Sequence, residues 1–197
     1  MIKKKPFGKI KCKSIKEGHN PVCILTVKNK KTILGIELAI GKYILKNITK
    51  EEISNKDINL LKSLSDLKLI PKIYLITNKY IIMDYFEGVT LNVYLRTNLL
   101  SDQLIIKIKK LIEKWHDLGF AHGDLALTLS KNKIIGGGNL LINKDNKIIL
   151  IDSTIGKIYD KSKRMSQLDL KKKYDFLFLK ELQDFKLDQY KYYNIVD

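Results

Sequence analysis

The stretch from Trp115 to Thr154 constrains this chain more than any other. It holds an amphipathic run, the turn His122-Gly123-Asp124, Asn139 at the head of Asn139-Leu140-Leu141-Ile142, and Asp152 closing the apolar run Ile148-Ile149-Leu150-Ile151. Two carboxylates and an amide thus stand at the edges of strands. These are oxygen donors of the kind that hard cations such as Mg²⁺ take, and such ions commonly combine one or two carboxylates with substrate phosphates. A further carboxylate can orient a hydroxyl nucleophile for phosphoryl transfer. Asp, Asn and Gly also favour turns for local hydrogen-bonding reasons, so each of these residues alone reads as an ordinary strand-edge turn. Their order and co-occurrence point to a site.

His-x-Asp-Leu, then Asn, then a hydrophobic strand ending in Asp is similar to the catalytic core of the protein-kinase-like superfamily. His122-Gly123-Asp124-Leu125 resembles the compact members: RIO-type kinases, aminoglycoside phosphotransferases, lipopolysaccharide-core kinases and small archaeal-type Ser/Thr kinases. The resemblance implies that Asp124 is the catalytic carboxylate, and that Asn139 and Asp152 hold Mg²⁺ across the phosphates of ATP. Asn139 and Asp152 lie 152 − 139 = 13 residues apart, which suits a short hairpin turning at 143–147. Asp124 and Asn139 are 139 − 124 = 15 residues apart, against about five in the usual motif. An insertion, Ala126 to Gly138, therefore intrudes between them.

At 197 residues the chain can bury one good core, divided into two lobes at most. No N-terminal segment has an apolar h-region, and no run approaches the length of a membrane span, so neither a signal peptide nor a transmembrane helix is expected. Cys12 and Cys23 are too few for a disulfide framework. A reducing, cytoplasmic setting with two buried thiols is the expectation, and no second pair or His cluster accompanies them to make a zinc site. The net charge is +16, from 37 basic and 21 acidic residues. Only Arg96 and Arg164 are arginines, the preferred bidentate readers of phosphate and guanine. The excess of lysine therefore reads as compositional bias more than as a nucleic-acid interface, although a basic surface is compatible with RNA contact and with a phosphate-rich substrate.

Along the chain, alternation from Gly8 to Lys16, a turn at 17–21 and the β-branched run Val22–Val27 predict two strands. The resemblance makes Gly18 the remnant of the phosphate-covering glycine loop; a plain hairpin is the other reading. Thr32–Glu37 reads as a further strand. Tyr43-Ile44-Leu45-Lys46 resembles the strand that carries the family's phosphate-binding lysine, which assigns that role to Lys46. If 32–37 takes that strand's place instead, the lysine is missing and the chain is a pseudokinase. Thr49-Lys-Glu-Glu52 is a capping box for a helix to about Leu64, with Ile53, Ile58, Leu60, Leu61 and Leu64 on its apolar face. The resemblance places Asp57, with Glu52 as fallback, as the acid that supports the lysine. Tyr80 to Leu91 resembles the hinge between kinase lobes. There the Asp84 carbonyl and Phe86 amide would face the adenine, with Met83 bordering the base.

Ser101 caps a helix to about Leu118, whose stripe is Leu104, Ile108, Leu111, Ile112, Trp115 and Leu118; Gly119 suits its C-terminus. In the family, the residue matching His122 braces the loop by hydrogen bonding. A last helix, Leu168 to about Leu182, should pack through Leu170, Tyr174, Leu177, Phe178 and Leu182. The expected fold is α+β: a bilobal protein-kinase-like arrangement. Residues 1–84 form an antiparallel N-lobe sheet with one helix, and 85–197 a reduced, mainly helical C-lobe. The implied activity is an ATP-dependent, Mg²⁺-requiring phosphotransferase acting on protein Ser/Thr. The alternatives are a sugar, lipopolysaccharide-core or other small-molecule kinase, and a pseudokinase or RNA-associated scaffold.

Overall fold

The structure is a computed structural model that describes residues 10–16, 21–48, 55–130, 133–136, 138–151 and 166–193, with side chains at all of these except 16, 56–57, 127–130, 133–136 and 189–193. The fold is a mixed α+β one with antiparallel sheets and four helices among the described residues. The chain divides into two compact units after Phe86.

The first unit is built on a five-stranded antiparallel sheet. Its strands are β1 (Lys13–Lys16), β2 (Val22–Val27), β5 (Gly41–Asn47), β6 (Ile73–Ile76) and β7 (Tyr80–Asp84), in the order β1-β2-β5-β7-β6. Side chains alternate across such a sheet, and the register sorts them. Leu25 pairs with Tyr43, Cys23 with Leu45, and Leu45 with Ile82; this face packs as the unit's core. The other face carries Ile24, Ile44, Lys46, Ile81 and Met83. Helix α1 (Asn55–Asp66) follows β5 and contacts β6, where the buried Ser65 Oγ accepts the Ile73 N–H at 2.8 Å. Leu61 and Leu64 are its buried residues, as its amphipathic pattern requires; the capping box at 49–52 lies outside the described residues.

Two expectations for this unit are corrected. Thr32–Glu37 is a two-stranded hairpin, β3 (Lys31–Ile33) and β4 (Ile36–Leu38), turning at Leu34 (φ 50°) and Gly35 (φ 83°). Glycine tolerates that left-handed backbone, and the two positive φ values match the twist of the flanking strands. The strand beside β2 is therefore β5, with Lys46 opposite Val22. The two cysteines are not thiols: Cys12 and Cys23 form a disulfide, with Cα atoms 5.8 Å apart. The β1–β2 pairing brings them within bonding reach, a closeness that their spacing in sequence did not announce.

The second unit contains β8 (Val89–Thr90), α2 (Leu91–Tyr94), α3 (Asp102–Asp117), β9 (Leu127–Ser130), β10 (Lys133–Gly136), β11 (Leu140–Ile142), β12 (Ile148–Leu150) and α4 (Gln167–Tyr193). Ser101 Oγ accepts the Leu104 N–H, capping α3. Leu104, Ile105, Ile108, Ile112 and Trp115 form its buried stripe, while Leu118, expected to close that stripe, is 39% exposed. Helix α4 buries Leu170, Phe178, Leu182 and Phe185 and packs against α3. Tyr174 and Leu177, expected inside, are exposed at 45% and 44%, and Asp175 is buried in their place. Asp175 stands three before Phe178 and seven before Leu182, on the buried stripe itself. Among the described residues, no helix is long and apolar enough to cross a membrane.

Candidate functional site

The end of α3 fixes the loop that follows. Phe120 N–H bonds the Trp115 carbonyl and Gly119 N–H bonds the His116 carbonyl, with Gly119 at φ +75°. This pair of bonds is a Schellman motif, and the Phe120 ring closes it by packing edge-on against Trp115, centroids 4.7 Å apart. The helix stops sharply, and Ala121-His122-Gly123-Asp124 leaves it in a defined direction.

His122 is 1% exposed and serves as a brace. The Asp124 N–H donates to its Nδ1 at 3.2 Å, so Nδ1 must be unprotonated. The proton is then on Nε2, which donates to the Ile151 carbonyl at 2.9 Å. Both ring nitrogens are thus engaged in holding the loop. Ile151 directly precedes Asp152, and its own N–H donates to the Asn139 carbonyl at 2.9 Å.

Asn139 completes the ring of contacts. Its Nδ2 donates to the Asp124 carbonyl at 2.8 Å and to Asp124 Oδ2 at 3.0 Å. The 15-residue separation between them is absorbed by the hairpin β9–β10, which leaves after Ala126 and returns before Asn139. Asn139 Oδ1 makes no hydrogen bond among the described residues. Asp124 is exposed, and its Oδ1 accepts no hydrogen bond among the described residues. Strands β11 and β12 pair Leu140–Ile142 with Ile148–Leu150. Asn143 Oδ1 closes the turn between them by accepting the Asp145 and Lys147 N–H groups.

One residue of this site escaped the sequence reading. Asp175, on α4 and 1% exposed, accepts the His122 N–H at 2.8 Å, the Gly123 N–H at 2.7 Å and His116 Nε2 at 2.9 Å. A buried carboxylate is costly unless its lone pairs are filled by donors; here three donors converge on it. Gly123 turns at φ +74°, a backbone open to glycine at no steric cost, which aims its N–H at the carboxylate. The legible signal was an acid three before Phe178 and seven before Leu182, on the buried stripe of a helix.

The remaining candidates lie in the first unit. Lys46, on β5, is 7% exposed and shares a sheet face with the half-buried Met83. Asp84 ends β7; its carboxylate accepts the Tyr74 hydroxyl at 2.9 Å and its N–H bonds the Lys72 carbonyl. Burial, then that hydrogen bond and the charge of Asp84, push the Tyr74 hydroxyl up from 10.0 to about 12. The half-buried Phe86 follows, and its N–H makes no hydrogen bond among the described residues. Asp57 lies in α1, with its side chain outside the described set. Gly18, Glu52 and Asp152 lie outside the described residues. Among the described residues no group of three or more His, Cys, Asp and Glu side chains is arranged to hold a metal.

No protein-family model matches the chain, and no curated protein is detectably similar to it.

Proposed function

We propose that the chain is an ATP-dependent phosphotransferase, an atypical kinase that moves the γ-phosphoryl group of ATP to a Ser or Thr hydroxyl of a protein. The observation that carries this reading is the closed set of bonds around Asp124. Asn139 clamps its carbonyl and carboxylate, His122 ties its loop to Ile151, and Ile151 is bonded back to Asn139. A turn residue with no chemical task needs no amide on its carboxylate from 15 residues away.

In this reading Asp124 Oδ1 accepts the hydrogen of the attacking hydroxyl, so the nucleophile is held and its proton has a destination. Asn139 keeps the carboxylate oriented and offers Oδ1 to a divalent cation, and Asp152, next along from Ile151, supplies the second oxygen donor. Oxygen donors of this type fit Mg²⁺, which when bound neutralises charge on the phosphates. Lys46, on the same sheet face as Met83, is the side chain assigned to the α and β phosphates, with Asp57 or Glu52 in support. The Phe86 N–H and Asp84 carbonyl are assigned to the adenine. Catalysis then rests on positioning and charge stabilisation more than on covalent chemistry.

Transfer of label from γ-labelled ATP to a mixed Ser/Thr protein acceptor in the presence of Mg²⁺ tests the proposal. Asp124→Asn should lower the transfer at least about 100-fold while leaving the melting temperature unchanged. Equal transfer by the wild type and Asp124→Asn would remove the assignment. Label appearing only on a sugar or other small hydroxyl compound would move the acceptor to that class.

A further inference from the structure

A groove of about 730 Å³ opens in the first unit, and none of the residues assigned above lines it. It is lined by Ile10, Lys11 and the continuous run Leu25 to Leu34. It sits at the Val27 end of β2, five residues from Val22, the neighbour of Lys46 (27 − 22 = 5). That is about 17 Å along the strand.

Its chemistry has two parts. Lys11, Lys28, Lys30 and Lys31 are exposed at its walls, and no acidic residue lines it. Lys30 is ion-paired with Glu37; the other three have no acidic partner among the described residues. The second part is apolar: Ile10, Leu25, Val27, Ile33 and Leu34. Leu34 is the unusual one. It is 43% exposed and held at φ 50°, at the first central position of the β3–β4 turn. Asn, Asp or Gly adopts that backbone most readily, and a large side chain there is strained. A strained, solvent-facing leucine points to a use outside the fold.

We propose that this groove docks an extended acidic segment of a partner protein, with carboxylates on the lysines and aliphatic side chains against Ile10 and Leu34. Charge complementarity selects an anionic partner, and the exposed Leu34 beside the half-buried Ile10 selects a peptide over a nucleic acid. The lining contains no aromatic ring on which a base could stack and no arginine to grip a phosphate in two places. Lysine, a compact and mobile charge, suits carboxylates whose spacing varies.

The probe is a fluorescein-labelled 12-residue peptide of alternating Glu and Leu, titrated with the full chain and followed by anisotropy at low salt. Binding should weaken at least about tenfold in the triple variant Lys11→Ala, Lys28→Ala, Lys31→Ala. A control of equal charge, Lys62→Ala, Lys110→Ala, Lys173→Ala, should change it less than about twofold. Leu34→Asn should weaken it about threefold or more without lowering the melting temperature, since it relieves the turn while removing the apolar contact. Absence of binding, or equal losses in the two triple variants, would overturn the proposal. So would tighter binding of duplex RNA or phosphatidylserine vesicles that responds to the same groove variant, because the groove would then serve a different anion.

Discussion

Removing the carboxylate of Asp175 should loosen the His122-Gly123-Asp124 loop more than any other single change outside it. In Asp175→Ala the His122 and Gly123 N–H groups lose their acceptor, and so does His116 Nε2. Each orphaned backbone donor costs about 1–3 kcal/mol when water cannot replace the partner. Breaking a buried, multiply bonded carboxylate in one step costs about 3–5 kcal/mol. Asp175→Asn keeps the shape and one acceptor oxygen but turns an N–H toward a donor, so about 2 kcal/mol is expected. Amide hydrogen exchange reads the effect at its source. With a factor of ten for every 1.4 kcal/mol, a loss of about 3 kcal/mol accelerates exchange at His122 and Gly123 at least about 100-fold. The two amides should respond together, and those of β2 and β5, in the first unit, should not. If Asp175→Ala left both amides within twofold of wild type, or lowered stability evenly across the chain, the bracing role would be refuted.

Asn139→Ala removes the clamp on Asp124 with little change in packing, so phosphoryl transfer should fall about 100-fold in steady-state assays while the denaturation midpoint holds. Tyr74 makes the stability of its unit sensitive to alkali. Its hydroxyl keeps its proton up to about pH 12 in the fold, against 10.0 for an ordinary tyrosine. The stabilisation is therefore complete below pH 10 and is lost as pH rises from 10 through about 12; Tyr74→Phe should flatten that decline in denaturation curves recorded across the range. Reducing the Cys12–Cys23 disulfide, which spans 11 residues of sequence, should cost about 3 kcal/mol by the chain-entropy estimate. Urea unfolding with and without reductant should show the shift in probes of the first unit alone.

Much of the site was legible because its signals are local. Ser101 before an apolar stripe announced α3, Gly119 announced its end, and the Asn-Lys-Asp-Asn-Lys turn announced the β11–β12 hairpin. Asp124 and Asn139 were legible as residues but not as neighbours, since nothing in the spacing says that an intervening segment folds out as a hairpin. Asp175 was hidden for the opposite reason. An acid on a long lysine-rich helix looks solvated, and its partners lie 52 and 53 residues away, on a loop whose N–H groups leave no mark in the sequence. The break in Thr32–Glu37 turned on Gly35, a cue outweighed by the apolar and β-branched residues around it. The disulfide depends on the pairing of β1 with β2, which composition cannot supply.

The most direct test of the Asp124–Asn139 centre uses a paramagnetic cation. Mn²⁺ with ATP, titrated into isotopically labelled protein, should broaden the Asn139 side-chain amide and the Asp124 backbone resonance before any others in the second unit, and only when ATP is present. Uniform broadening, or broadening that begins at exposed carboxylates elsewhere and spares Asn139, would contradict a metal–nucleotide centre at this pair.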